Sequence, residues 1–181
     1  MNRFIPINCA AISETILESE LFGYKKGAFT GAFSDKAGLL EKADKGTLFM
    51  DEVGEISLNM QTKMLRVIEK SGYIRVGGTR TRKSDLRIIA ATNKDIQKLL
   101  TQNRIRRDFY YRICVIPIFL PPLRQRKEDI MLLTDYFIKT IKNDSNYTLI
   151  PAALRDAFME YDWPGNVREL QNVIQRYLSL K

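Results

Sequence analysis

Gly46 to Glu55 reads GTLFMDEVGE, in which Thr47, Leu48, Phe49 and Met50 run directly into two carboxylates, Asp51 and Glu52. A short apolar and β-branched run of this length predicts a buried strand, with the acidic pair where the strand emerges. Open α/β sheets bind ligands outside the C-terminal ends of their strands, and a carboxylate pair there can hold a hydrated Mg²⁺ and orient a water. The plain alternative is an acidic surface turn after a strand, and these ten residues alone leave both readings open.

On the N-terminal side, Phe4, Ile5, Pro6, Ile7 and Asn8 form an extended segment, whose proline favours an edge strand or its first turn. Ser13 is placed to cap a helix that gathers Ile12, Ile16, Leu17 and Leu21 on one face and ends at Gly23. Tyr24 to Ser34 reads YKKGAFTGAFS, a glycine-hinged loop in which Gly27 and Gly31 bracket Ala28, Phe29 and Thr30. Either Phe29 and Thr30 are presented to a partner or the segment is a hairpin whose phenylalanine packs inward.

On the C-terminal side, Leu58, Met64, Leu65 and Ile68 have helical spacing, and Tyr73 to Val76 form a hairpin-like piece before Gly77 and Gly78. Leu86 to Thr92, LRIIAAT, predicts a second buried strand closed by the polar Asn93. Asp95 caps a helix through Gln102, a basic segment carries Arg106 and Arg112, and Val115 to Leu120 predicts a third buried strand, broken by Pro121 and Pro122. From Lys127 onward only helical patterns recur, with Ile130, Leu133, Phe137 and Ile141 lining the first helix. Leu154, Phe158 and Tyr161 line the second, and Val167, Leu170, Ile174 and Tyr177 the third. The linkers are Lys142 to Thr148 and Trp163 to Gly165. The expected organisation is an α/β part, residues 1–124, and a small all-α lid, residues 125–181.

The 181 residues, 45% hydrophobic and 28% charged, have the composition of a soluble globular protein with one ordinary core. No apolar run reaches the roughly 18 residues a membrane helix needs, and no signal-peptide core is present, so no membrane association and a cytoplasmic location are expected. The chain has no histidine, which removes histidine-based triads and argues against zinc; Cys9 and Cys114 read as small buried hydrophobes. A net charge of +8, concentrated at Arg75–Arg87 and Arg104–Arg112, attracts nucleotides, nucleic acid or an acidic partner without choosing among them.

Taken in order, ELFGYKKGAFTGAF at Glu20–Phe33, GTLFMDEVGE, RIIAATN at Arg87–Asn93, RRDFYYR at Arg106–Arg112, LPPLRQRKEDI at Leu120–Ile130 and WPGNVREL at Trp163–Leu170 resemble one family. It is the AAA+ ATPase domain of bacterial sigma-54-dependent transcription activators, the enhancer-binding proteins. The resemblance covers nearly the whole chain and implies a P-loop-type parallel sheet with helices on both faces, followed by the helical lid. It further implies binding of ATP and Mg²⁺, hydrolysis by a homo-oligomeric, hexameric ring, and remodelling of the sigma-54 RNA polymerase holoenzyme. By that resemblance Asp51 is the Walker B aspartate and Mg²⁺ ligand through water, and Glu52 activates the attacking water. Asn8 restrains Glu52, Asn93 is the polar sensor beside the γ-phosphate, Arg106 and Arg112 act in trans on the neighbouring subunit's site, and Arg168 couples the lid to the nucleotide. Gly27, Ala28, Phe29, Thr30, Gly31 and Ala32 form the loop that touches sigma-54. Arg75 to Asp85 resembles a second pore-facing loop, whose charge is expected to face the pore or, nonspecifically, promoter DNA.

The sequence departs from the family pattern at Tyr24, usually histidine, and at Ile105, usually phenylalanine. More consequentially, no G-x-x-x-x-G-K-[ST] occurs among its 10 glycines, so the phosphate-cradling loop is not in this sequence and the family sheet is incomplete. The family's first strand lies between those expected at Leu86–Thr92 and Val115–Leu120, which should leave both without their shared neighbour. Weak or no hydrolysis by this polypeptide is therefore expected. The alternatives are a noncatalytic sigma-54-binding or dominant-negative module, and a truncated gene remnant.

Overall fold

The structure, a computed structural model, describes residues 3–142 and 150–180, so all but the first residue of the expected Lys142–Thr148 linker lies outside the described residues. The chain forms two compact units, residues 1–117 and 118–181.

The first unit contains β1 (Phe4–Asn8), α1 (Glu14–Phe22), β2 (Gly23–Tyr24), β3 (Lys36–Ala37), α2 (Leu39–Lys42), β4 (Thr47–Asp51) and α3 (Leu58–Ile68). It continues with β5 (Tyr73–Ile74), β6 (Thr81–Arg82), β7 (Arg87–Ala90), α4 (Ile96–Thr101) and α5 (Arg107–Ile113). Strands β1, β4 and β7 make a parallel sheet in that order, with Asn8 opposite Asp51 and Met50 opposite Ala90. Alternation along β4 turns Leu48 and Met50 into the core, where they are fully buried with Leu21 of α1, Met60 and Met64 of α3, and Phe109 of α5. On the opposite face Phe4 stacks on Phe49 at 5.9 Å, yet Phe4 is 58% and Ile89 38% exposed. Parallel sheets of this class are covered on both faces. Here the buried cluster lies on one face and the other stays partly open, so the sheet is incomplete in that respect.

The strand expected at Val115–Leu120 is not one. Its residues carry no strand assignment, and Val115, Ile116 and Phe119 are 73%, 82% and 89% exposed. An extended apolar segment becomes a strand by pairing its backbone groups with a neighbour, and among the described residues this segment has none, nor does the outer edge of β7. The basic segment, conversely, is helical. Arg107–Ile113 forms α5 because Ile105, Phe109 and Ile113 recur every fourth residue and pack on the core. The β2–β3 hairpin depends on Gly38, where a Cβ would lie 2.3 Å from the Leu21 carbonyl oxygen.

The second unit is helical: α6 (Glu128–Lys142), α7 (Ala152–Glu160) and α8 (Asn166–Ser179). Its core is built on Ile130, Phe158, Leu170, Ile174 and Trp163, whose indole Nε1–H donates to the Phe158 carbonyl at 2.8 Å. Two residues assigned inward by periodicity point out, Ile141 at 40% and Tyr161 at 49% exposure; Ile138 and Trp163 are buried instead. A single contact face of α6 includes the buried Thr134, whose hydroxyl donates to the Ile130 carbonyl and so avoids the cost of a lone buried polar group.

Candidate functional site

The ends of β1 and β4 bring Asn8 and Asp51 side by side. Asn8 Nδ2 donates to Asp51 Oδ2 at 3.4 Å, while Asn8 Oδ1 accepts from the Ala10 and Ala11 N–H groups. Asp51 Oδ1 accepts the Glu52 N–H at 3.0 Å. Glu52 itself stands in the left-handed region, φ 55°, before a 3₁₀ turn at Val53–Glu55. For a non-glycine residue that conformation costs about 1–2 kcal/mol, and the turn is secured by the Val53 N–H to Ala91 O bond. The Asn93 N–H reaches Glu52 Oε2 at 3.5 Å, so the residues after β7 meet Glu52 through the backbone; the Asn93 side chain is exposed.

Asn8, Asp51, Glu52 and Asn93 are thus one cluster at the C-terminal edge of the sheet. Beside it, Cys9 is buried and donates its N–H to the Asp51 carbonyl at 2.9 Å. Burial, and secondarily the Asp51 charge, push its thiol pKa up to about 11, so it is not a nucleophile at neutral pH.

A triphosphate needs cations and free backbone N–H groups. At this edge the N–H groups of Ala10, Ala11, Glu52, Val53, Asn93 and Lys94 are already donated within the chain, and Lys94 Nζ pairs with Glu55 at 2.7 Å. Among the described residues no group of three or more Cys, Asp or Glu could hold a metal unaided. The acidic half of a nucleotide site is present; the phosphate-holding half does not fit onto these residues alone.

Of the arginines, Arg106 sits at the N-cap of α5 and forks onto Asp108, with Nε at 3.0 Å and Nη2 at 2.7 Å, a bond that raises the arginine pKa and holds the Asp108 carboxyl below its ordinary range. Arg112 approaches Glu69 at 3.7 Å and is largely exposed. Neither is bonded to Asp51 or Glu52. Arg168 is exposed on α8, in the second unit. Sequence reasoning missed Gln61, fully buried on the core face of α3. Its Nε2 donates to the Ile56 and Arg104 carbonyls at 3.1 and 2.9 Å, and its Oε1 accepts the Arg106 N–H at 2.9 Å, fixing the segment that carries Arg106. The signal was a glutamine three residues before Met64, on an otherwise apolar stripe.

The Gly27–Ala32 loop springs from the β2–β3 hairpin. It closes through Gly27 N–H to Ala32 O at 2.8 Å and Ala32 N–H to Phe29 O at 3.0 Å, with Gly27 and Gly31 at φ 81° and 100°. Ala32 is buried and Thr30 exposed, while Phe29 is 46% exposed with its ring edge-on to Tyr24 at 4.9 Å. The Phe29 ring thus packs in part against its own hairpin while Thr30 stays in solvent. Asp35 ties the loop base, accepting the Lys26 N–H at 2.9 Å and pairing with Lys25. The β5–β6 hairpin joins it through Lys25 N–H to Val76 O and Val76 N–H to Gly23 O. Arg75 and Arg82 of that hairpin both pair with Glu41, at 2.7 and 2.9 Å. Their charge is engaged inside the unit, while Arg80 and Lys83 of the same segment are exposed.

Comparison with known proteins gives the geometry its family. The model of the sigma-54 interaction domain matches residues 1–119, and that of the AAA+ ATPase lid domain matches residues 124–181. The chain is 49% identical over 178 residues to a Nif-specific regulatory protein of Bradyrhizobium diazoefficiens, covering 98% of this chain and 31% of that protein. It is 48% identical to the regulatory protein AtoC of Escherichia coli, covering 96% and 38%. The chain spans about a third of the length of these curated relatives. Among solved structures, NtrX from Brucella abortus, solved also in complex with ADP and with ATP, superposes with TM-score 0.89 at 33% identity, covering 99% of this chain and 41% of the NtrX chain. A likeness to Hsp104, TM-score 0.69 at 22% identity, with 96% and 34% covered, speaks to the AAA+ fold alone. The chain belongs to the sigma-54 interaction domain family of bacterial transcription regulators, with an AAA+ ATPase lid domain behind it.

Proposed function

We propose that this chain contacts the sigma-54 RNA polymerase holoenzyme through the Gly27–Ala32 loop, with Phe29 and Thr30 as the touching residues. The observation that carries the reading is the loop itself: a GAFTGA turn closed on its own backbone, tied at its base by Asp35, with Thr30 and half of Phe29 left to solvent. A loop ordered before encounter loses less entropy on binding. Fluorescence anisotropy of labelled sigma-54 titrated with the 181-residue chain tests it. Binding that Phe29→Ala or Thr30→Ala weakens is expected; no binding at micromolar protein contradicts it.

On the nucleotide side, Asp51 is proposed as the Mg²⁺ ligand through water, Glu52 as the residue that orients the attacking water, Asn8 as its restraint and Asn93 as the γ-phosphate sensor. Arg106 and Arg112 are assigned to the neighbouring protomer's site in a hexameric ring, and Arg168 to coupling of the lid, residues 125–181, with the α/β part, residues 1–124. When bound, Mg²⁺ and ATP supply the phosphoryl group and neutralise its charge. These roles hold in a protein whose other residues provide the phosphate-holding loop. The 181-residue chain alone is expected to turn over ATP at background, because the N–H groups around Asp51 are consumed internally. Turnover that disappears in Asp51→Ala would contradict this. That same observation favours the second reading, a sigma-54-binding module without catalysis. Salt-sensitive, nonspecific association with promoter DNA through Arg80 and Lys83, and a cytoplasmic location, complete the proposal.

A further inference from the structure

The closed turn does not end at Ala32. Phe33 follows it with its N–H donated to the Gly31 carbonyl at 2.9 Å, and its side chain is 85% exposed, against 46% for Phe29. Phe29 already rests on the Tyr24 ring, whereas no aromatic ring among the described residues packs on Phe33. Along the turn the buried Ala32 anchors the backbone, and Thr30, Phe33 and the uncovered part of Phe29 face water. An uncovered aromatic four residues from Phe29, on backbone fixed by the Gly27–Ala32 and Asp35–Lys26 bonds, is a rigid apolar contact available without ordering the chain.

We propose that Phe33 is a second aromatic anchor for sigma-54, extending the contact surface beyond the GAFTGA hexapeptide. The proposal rests on the sigma-54 reading of the loop and adds to it a partner surface with apolar seats for two phenylalanines. Continuity with Phe29 and Thr30 on the same closed turn selects sigma-54 over a second copy of this chain as the occupant.

The test is anisotropy with labelled sigma-54 and the 181-residue chain in parallel with Phe33→Ala, Phe33→Tyr, Phe29→Ala and Leu132→Ala. Leu132, 68% exposed on α6, controls for general apolar stickiness. Phe33→Ala is expected to weaken binding about tenfold or more, Phe33→Tyr by less than about threefold, and Leu132→Ala not at all. Circular dichroism should be unchanged in every variant, since all three positions are on the surface. Wild-type binding that Phe29→Ala weakens but Phe33→Ala leaves within about twofold overturns this inference and spares the loop reading. Equal losses in Phe33→Ala and Leu132→Ala overturn it as nonspecific adhesion. Loss of self-association in sedimentation, with sigma-54 binding intact, overturns it in favour of contact between copies. A wild-type chain that does not bind sigma-54 removes the loop reading, and this inference with it.

Discussion

Replacing Gln61 by leucine tests how the segment carrying Arg106 is held. The change keeps the side-chain volume close, so little cavity forms, but it deletes all three hydrogen bonds of a fully buried amide. It leaves the Arg106 N–H and the Ile56 and Arg104 carbonyls without this partner. At about 1 kcal/mol net for each bond, the loss is roughly 3 kcal/mol. With a urea m-value of about 1.5–2 kcal/mol/M for a unit of this size, the midpoint should fall by roughly 1.5–2 M. Hydrogen–deuterium exchange localises the effect: amides of residues 104–113 should exchange roughly a hundredfold faster, the factor equivalent to that loss. Gln61→Glu should be no milder, because a carboxylate can accept the Arg106 N–H yet cannot donate to the two carbonyls and must be buried. A Gln61→Leu variant that loses less than about 1 kcal/mol, with exchange at residues 104–113 unchanged, would show that the Gln61 amide does not hold this segment.

The Cys9 thiol, with its pKa at about 11, should react with a disulfide reagent at pH 8 about two to three orders of magnitude more slowly than an ordinary thiol of pKa about 8.5, measured in a Cys114→Ser background. Its rate should still be climbing beyond pH 9, and a plateau near pH 8.5 contradicts the burial argument. Asp35 is held below the ordinary carboxylate range, chiefly by the Lys25 hydrogen bond and then by the Lys26 N–H. Because the folded pKa is depressed, the clamp contributes above the unfolded carboxylate value of about 3.9 and is lost only as pH falls through the lower folded value. The Lys26 amide resonance should therefore titrate with a midpoint below about 3.9 and lose that titration in Asp35→Asn; a midpoint at or above it contradicts the clamp.

Much of this arrangement could be read from residue order because local chemistry and tertiary packing agree. The β4 run Thr47–Met50 and the run within Leu86–Thr92 both form strands, and Asp95 caps α4 with its side chain, whereas Ser13 stands at the N-cap of α1 without a side-chain cap bond. What was not legible depends on neighbours that sequence does not display. Val115–Leu120 has a strand's composition without a partner to pair with. The α5 helix was hidden by its arginines, although Ile105, Phe109 and Ile113 carry the spacing. The left-handed φ of Glu52 follows from how β4 turns into the Val53–Glu55 segment, a strain no propensity predicts for glutamate. The place of Gln61 on the apolar stripe of α3 could be read, but not its carbonyl partners, 5 and 43 residues away. At the loop, sequence indicated glycine hinges but not that Tyr24 covers Phe29 while Phe33 stays bare.

The Gly27–Ala32 loop is proposed as the surface that meets sigma-54. A photo-cross-linking residue placed at Thr30, exposed on the closed turn, tests it most directly in a mixture of the 181-residue chain with purified sigma-54. A covalent adduct is expected from position 30, diminished by Phe29→Ala, and none from the same residue placed at Leu132 on α6. An adduct from Leu132 with none from Thr30 would contradict it.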